Sequence, residues 1–189
     1  VKKLVFFASG SGSNFQSVID AINRDEISAS IVGLITDNPK SGSIERAKNA
    51  QISTALIPYS PESFFSKKIE ETLDKWNPDL IVLAGYLKKV PDSVVQTYQN
   101  RIINIHPSLL PKYGGKGFYG HKVHKAVLDA GDSVSGCTVH YVNSEYDQGS
   151  VIKQVKVPVH QNDTPESLAE RVLAEEHKLL PNVIKQLIN

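Results

Sequence analysis

The chain has no methionine, one tryptophan and one cysteine, Cys137, in 189 residues. A lone thiol excludes an internal disulfide framework and fits a reducing compartment. No stretch stays apolar for the ~20 residues of a membrane span. The opening VKKLVFFASG is interrupted by Gly10 too soon for a secretory signal. The sequence begins at Val1, so any initiator methionine lies outside it. An excess of one charge is also lacking: Lys and Arg total 21 against 20 for Asp and Glu, and no basic run is interleaved with aromatics. No global field therefore recruits nucleic acid. These absences lead us to expect a cytoplasmic protein with small-molecule partners, no nucleic acid and no membrane, as a monomer or homodimer. The length suits one domain, residues 1–189, burying roughly 70% of the surface of its unfolded chain.

What is present is an alternation of strands and helices. An apolar run at 4–8 is closed by SGSGSN, after which Phe15, Val18, Ile19 and Ile22 recur at helical spacing. A second strand is expected at 31–35, a polar helix at 43–50 and a short strand at 54–57. From Pro61, the pattern of Phe64, Phe65, Ile69, Leu73 and Trp76 predicts an amphipathic helix, followed by a strand at 80–85 and a helix at 91–98. Next comes RIINIHP, whose strand must end at His106 because Pro107 cannot donate to a ladder. A glycine-rich loop at 112–120 and a helix at 122–130 lead to two alternating strands, 138–142 and 151–159. A last helix spans 164–187, with Thr164 and Ser167 as caps and Pro181 expected to kink or restart it. The predicted fold class is α/β: a single doubly wound, mostly parallel sheet flanked by helices, with an antiparallel carboxyl-terminal extension.

The chemistry gathers at NIHPSLLP, residues 104–111. Asn104 and His106, two apart on a strand, share a face at its carboxyl end, where open α/β sheets place ligands. SGSGSN lies between a strand and a helix, where backbone N–H groups and the helix dipole meet an anion. A dinucleotide site would use Asp37 as its ribose acid, but Phe15 replaces the third glycine of that fingerprint, and no lysine makes a Walker loop. Ser13 and Asn14 suit a terminal phosphate instead. Asp147, in the turn EYDQG, reaches His106 and holds it protonated if its hairpin borders the His106 strand. An amide, an imidazole and a carboxylate together can polarise a carbonyl, stabilise its oxyanion and move a proton. Cys137 and His140 face opposite sides of a strand and make no zinc pair, and no metal is expected. His121 and His124 share a helix face without a nearby acid, which reads as a wet surface. Ser108 has no nucleophile elbow.

The segments SGSGSNFQS, PDLIVLAGYLKKV, NIHPSLLPKYGGKG and VHYVNSEYDQGSVI, with the helical tail, resemble the phosphoribosylglycinamide formyltransferases, a folate-dependent family of purine synthesis. The likeness runs from Val1 to about Leu187. It implies transfer of a formyl group from 10-formyltetrahydrofolate to the amine of glycinamide ribonucleotide. By this resemblance Asn104 holds the formyl oxygen, His106 is kept cationic by Asp147 and stabilises the tetrahedral intermediate, and Asp147 organises a water relay. Gly12, Ser13 and Asn14 match the phosphate loop. Leu87, Lys88, Lys89 and Val90 match one wall of the folate pocket, with Tyr141, Val142, Asn143 and Asp147 on the other and Asn104 between. Lys88 and Lys89 stand where the family commonly has arginine and an aliphatic residue, which implies a wetter pocket. An arginine common early in the helix after Pro61 is missing. The alternatives are a 10-formyltetrahydrofolate hydrolase, a formyltransferase acting on another amine, and a non-catalytic nucleotide-binding module. Hydrolase relatives carry a preceding domain and tRNA-directed relatives a following one, so the sequence leads us to expect a single formyltransferase domain.

Overall fold

Leu4, Val5, Phe6 and Phe7 are successive strand residues pointing to alternate sides, yet each is wholly buried. Such a strand needs cover on both faces, and that requirement sets the architecture. The structure is a computed structural model describing residues 1–60 and 63–188. In chain order the elements are β1 (Lys2–Phe7), α1 (Ser13–Asn23), β2 (Ala29–Thr36), α2 (Gly42–Asn49), β3 (Thr54–Leu56), α3 (Ser63–Trp76) and β4 (Leu80–Ala84). Then follow α4 (Asp92–Thr97), β5 (Ile102–His106), α5 (His121–Asp129), β6 (Val134–Tyr141), β7 (Val151–Pro158) and α6 (Pro165–Ile188).

The strands form one seven-stranded sheet in the order β3-β2-β1-β4-β5-β6-β7. The first five are parallel, while β6 runs against β5 and β7 against β6. On one face Leu4, Phe6, Val82 and Ile103 join Phe15 of α1 and Leu168, Val172 and Leu180 of α6. On the other, Val5, Phe7, Ile81 and Ile102 meet Ile69 and Leu73 of α3 and Val94 of α4. The strand order reverses between β1 and β4, so the loops leaving their carboxyl ends part around a crevice.

Three local expectations change. Phe64 is 68% exposed, while Phe65, Ile69 and Leu73 form the buried stripe of α3; Pro61, where that helix was expected to start, lies outside the described residues. Strand β6 begins at Val134 rather than at 138; Ser135 and Gly136 hide the start because neither carries the bulky apolar side chain that marks a strand. Helix α6 runs through Pro181 as one helix. Leu179, Leu180, Val183 and Ile184, buried on both sides of the proline, hold it against the sheet despite the lost N–H. Its start is a reciprocal cap: the Thr164 N–H donates to Ser167 Oγ at 3.0 Å, and the Ser167 N–H to Thr164 Oγ1 at 3.2 Å.

The turn after His106 is fastened by one hydroxyl. Thr138 of β6, fully buried, donates to the Ser108 carbonyl at 2.6 Å and accepts from the Leu110 N–H at 3.1 Å and Gln154 Nε2 at 2.9 Å. Ser108 Oγ donates to the Lys112 carbonyl at 2.6 Å, a structural task that leaves it no role as a nucleophile. Replacing Thr138 by the isosteric valine orphans the Leu110 N–H. We expect Thr138→Val to lose about 2 kcal/mol, read from the urea unfolding midpoint.

Candidate active site

Register decides what meets at the end of β5. Asn104 and His106 face away from Ile103 and Ile105, which enter the core with α6. In the antiparallel ladder Asn104 stands opposite His140, and His106 opposite Thr138. Asn104 Nδ2 lies 3.1 Å from His140 Nε2. Beyond β6 the chain doubles back, bringing Asp147 over this pair with a left-handed φ of 56°. Gly149 makes the return possible: a Cβ there would lie 1.6 Å from the Tyr141 carbonyl oxygen, which explains the glycine in EYDQG. Asp147 Oδ2 accepts from the Gly115 N–H at 2.9 Å and lies 3.6 Å from His106 Nδ1. Its Oδ1 lies 3.4 Å from Asn104 Nδ2 and 3.6 Å from His140 Nε2. The amide, imidazole and carboxylate singled out from sequence therefore converge.

His106 Nε2 lies 2.8 Å from the Tyr113 carbonyl, an acceptor only, so Nε2 carries the proton. Burial holds the ring's pKa below the usual histidine value, outweighing the pull of Asp147 and of the Tyr113 carbonyl. The two ring nitrogens meet different partners, Nε2 the Tyr113 carbonyl and Nδ1 the Asp147 carboxylate. Burial also opposes ionisation of Asp147, but His140, His106 and the Gly115 N–H outweigh it and bring its pKa below the ordinary carboxylate value. In His140, Nδ1 is 2.8 Å from its neighbour's carbonyl at Tyr141, leaving Nε2 to accept from Asn104.

These groups open into a cavity of about 740 Å³ at the carboxyl ends of β1, β4 and β5, lined also by Gly10 to Asn14 at the start of α1. Gly12, with φ 74°, caps α1 without a side-chain bond, so the first N–H groups of the helix keep free access to an anion. Asp37 does not serve as a ribose acid. It accepts from Ser9 Oγ, which in turn accepts from the Leu87 N–H at 3.1 Å, and so braces the two loops of the crevice. Asn14 Nδ2 donates to Glu176 Oε2 of α6 at 2.7 Å. Desolvation raises the Glu176 carboxyl to about 7, only partly offset by the Asn14 bond.

A model of the formyl transferase family matches residues 2–184. This chain belongs to the formyl transferase family. Phosphoribosylglycinamide formyltransferase, chloroplastic, of Arabidopsis thaliana is 44% identical over 97% of this chain and 64% of its own length. The phosphoribosylglycinamide formyltransferase of Bacillus subtilis (strain 168) is 39% identical over 100% of this chain and 95% of its own. The crystal structure of glycinamide ribonucleotide transformylase 1 from Geobacillus kaustophilus aligns at a TM-score of 0.92 and 37% identity, covering 100% of this chain and 99% of that one. The chain thus spans less than two thirds of the plant relative and nearly all of the bacterial one.

In this formyl transferase, Lys88, Lys89, Val90, Val142 and Asn143 border a small recess beside Asn104 and Asp147. Leu87 faces the main cavity, and Tyr141 is turned away, packed against the α6-side core. Both lysines have acidic neighbours: Lys88 Nζ lies 3.9 Å from Asp37, and Lys89 Nζ 2.9 Å from Asp92. Cys137 and His140 do face opposite sides; burial, with Glu176 and Glu175 nearby, pushes the Cys137 thiol up to about 12. The wet-surface expectation holds for His121, which is exposed, and fails for His124. His124 is buried, which lowers its pKa to about 4, and His121 has an acid partner in Glu166 at 2.9 Å. Sequence reasoning missed His140 and Glu176. The parity of His140 with Thr138 was visible, but its register against Asn104 was not, and Glu176 lies 162 residues from Asn14.

A carboxyl whose pKa is about 7 in the fold, against an ordinary 4.5, binds its proton more tightly when folded. Its stabilising contribution is therefore full below the unfolded value and is lost as pH rises through that window. Relative to Glu176→Gln, wild-type stability should fall by roughly 3 kcal/mol between about pH 5 and pH 8, measured by urea unfolding at each pH.

Proposed function

We propose that this chain transfers a formyl group from 10-formyltetrahydrofolate to the amine of glycinamide ribonucleotide. The observation that carries the reading is the meeting of Asn104, His106 and Asp147 in a cavity that also holds the uncapped start of α1. A phosphate seated on the N–H groups of Gly12, Ser13 and Asn14 leaves the ribose beside Glu176 and directs the amine toward Asp147. The recess bordered by Lys88 to Val90 and Val142 to Asp147 takes the pterin.

The acceptor nitrogen adds to the formyl carbon, and the carbonyl oxygen becomes an oxyanion. Asn104 donates to that oxygen the Nδ2–H now directed at Asp147 Oδ1, the longer of its two contacts at 3.4 Å. The proton released by the attacking nitrogen can be held at His106 Nδ1 while negative charge on the oxyanion favours a charged ring, and it is returned to the departing folate nitrogen. Asp147, ionised at rest, draws the proton off the attacking nitrogen through water, and the folate nitrogen departs with a proton as the carbonyl re-forms. The chemistry asks for no protein nucleophile and no metal. We further propose that residues 1–189 act as one formyltransferase domain. A cytoplasmic setting is the compartment that the single, buried thiol fits.

Loss of the formyl donor, followed spectrophotometrically on 10-formylfolate, should require glycinamide ribonucleotide. Equal loss without the amine would make the protein a hydrolase. Asn104→Ala should lower turnover about 10²- to 10³-fold, and Asp147→Asn by a similar or larger factor, with both variants folded by circular dichroism. Normal turnover in Asp147→Asn would reduce the carboxylate to a turn residue.

A further inference from the structure

The main cavity is poorly supplied with positive charge for a site that takes a phosphate. Its lining includes three carboxylates, Asp147, Glu166 and Glu176, and among the described residues a single lysine or arginine, Lys116. The helix start contributes N–H groups and neutral side chains only. Arg46, which lies behind that loop, does not line the cavity. Its Nε is bonded to the Ser11 carbonyl at 2.8 Å and its Nη1 to Gln16 at 3.3 Å. His121 is engaged by Glu166, His124 is held neutral by burial, and burial disfavours a charge on His106.

Lys116 is exposed and has no hydrogen-bond or ion-pair partner among the described residues. It sits between Gly115 and Gly117, whose φ of 93° and 95° fix the loop in a shape that few other residues adopt. The loop is anchored on one side of Lys116, where the Gly115 N–H meets Asp147, and it turns back as the Phe118 N–H meets the Gly115 carbonyl at 3.1 Å. The lysine therefore stands at the tip of a turn tied to the reacting centre. It borders the cavity shared with Gly10 to Asn14, not the recess beside Val142.

We propose that Lys116 is the cationic clamp on the acceptor's phosphate, closing from the glycine-rich loop onto a dianion held from the other side by the start of α1. This rests on the reading of the acceptor as a phosphorylated amine. Hydrogen bonds supply the direction of that grip and Lys116 its charge. The clamp sets specificity: it distinguishes a ribotide from the corresponding riboside and leaves the formyl donor's site alone.

The test is a cycle between enzyme and substrate. Lys116→Met should raise KM for glycinamide ribonucleotide about 10- to 100-fold, with kcat within about threefold and KM for the formyl donor unchanged. The same substitution should leave KM for glycinamide riboside, which lacks the phosphate, where it was, and Lys116→Arg should retain most of the preference for the ribotide. Equal effects on both acceptors, or none on either, would overturn the clamp. Calorimetry with ribose 5-phosphate separates this from the functional reading: its binding should weaken in Lys116→Met by the same factor. If the wild-type protein transfers no formyl group but still loses ribose 5-phosphate affinity with the lysine, the clamp stands and the acceptor assignment fails. If it transfers formyl and Lys116→Met binds ribose 5-phosphate normally, the clamp falls and the assignment stands.

Discussion

Strand β6 runs against β5, and this single reversal in an otherwise parallel sheet arranges the site. Because the two strands oppose each other, Asn104 is set across from His140 and His106 across from Thr138. The first pairing fixes the carboxamide, and the second fixes the turn that carries the ring's carbonyl partner. A parallel sixth strand would have needed a crossover connection and would have set a different register against Asn104 and His106. Reversed, it delivers the loop bearing Asp147 back over the face on which Asn104 lies. The buried Thr138 hydroxyl, with three partners, locks that reversal to the turn after β5.

Much of this was legible beforehand, and for a consistent reason. The apolar runs of β1, β4 and β5 are continuous because both faces are buried, and they are bounded by Gly, Asn and Pro at the points where the chain must turn. Asn104, His106 and the helix start at Gly12 are local features, readable from spacing alone. Asp147 could be joined to them only on the condition that its hairpin bordered β5, which it does. Register and distant packing stayed hidden. His140 was weighed against Cys137, its neighbour in sequence, rather than against Asn104, its neighbour across the ladder. Glu176 reads as one polar position of a long helix, and only the packing of α6 on α1 puts it beside Asn14. Tyr141 looked like part of a pocket wall, yet alternation sends it to the opposite face from His140 and Asp147. The run through Pro181 is likewise a tertiary outcome, since local preference argues for a break and the apolar contacts on either side prevail.

Burial and pairing oppose each other in this site: neighbours prevail at Asp147, and burial prevails at His106 and Glu176. At His106, desolvation of the cation outweighs the pull of the Asp147 carboxylate 3.6 Å away and lowers the ring's pKa. Glu176 follows the same rule with the opposite sign, remaining protonated to unusually high pH beside a neutral amide. Among the described residues, the one lysine that lines the cleft stays outside on a glycine turn.

The bond from His106 Nε2 to the Tyr113 carbonyl makes the imidazole a one-door device. A ring in solution can accept at one nitrogen and release from the other, passing protons through. Here the main chain occupies one nitrogen permanently, so whatever enters at Nδ1 must leave by Nδ1, under the oxygens of Asp147. The ring can store a charge for the lifetime of an intermediate, but it cannot leak that charge toward the loop behind it.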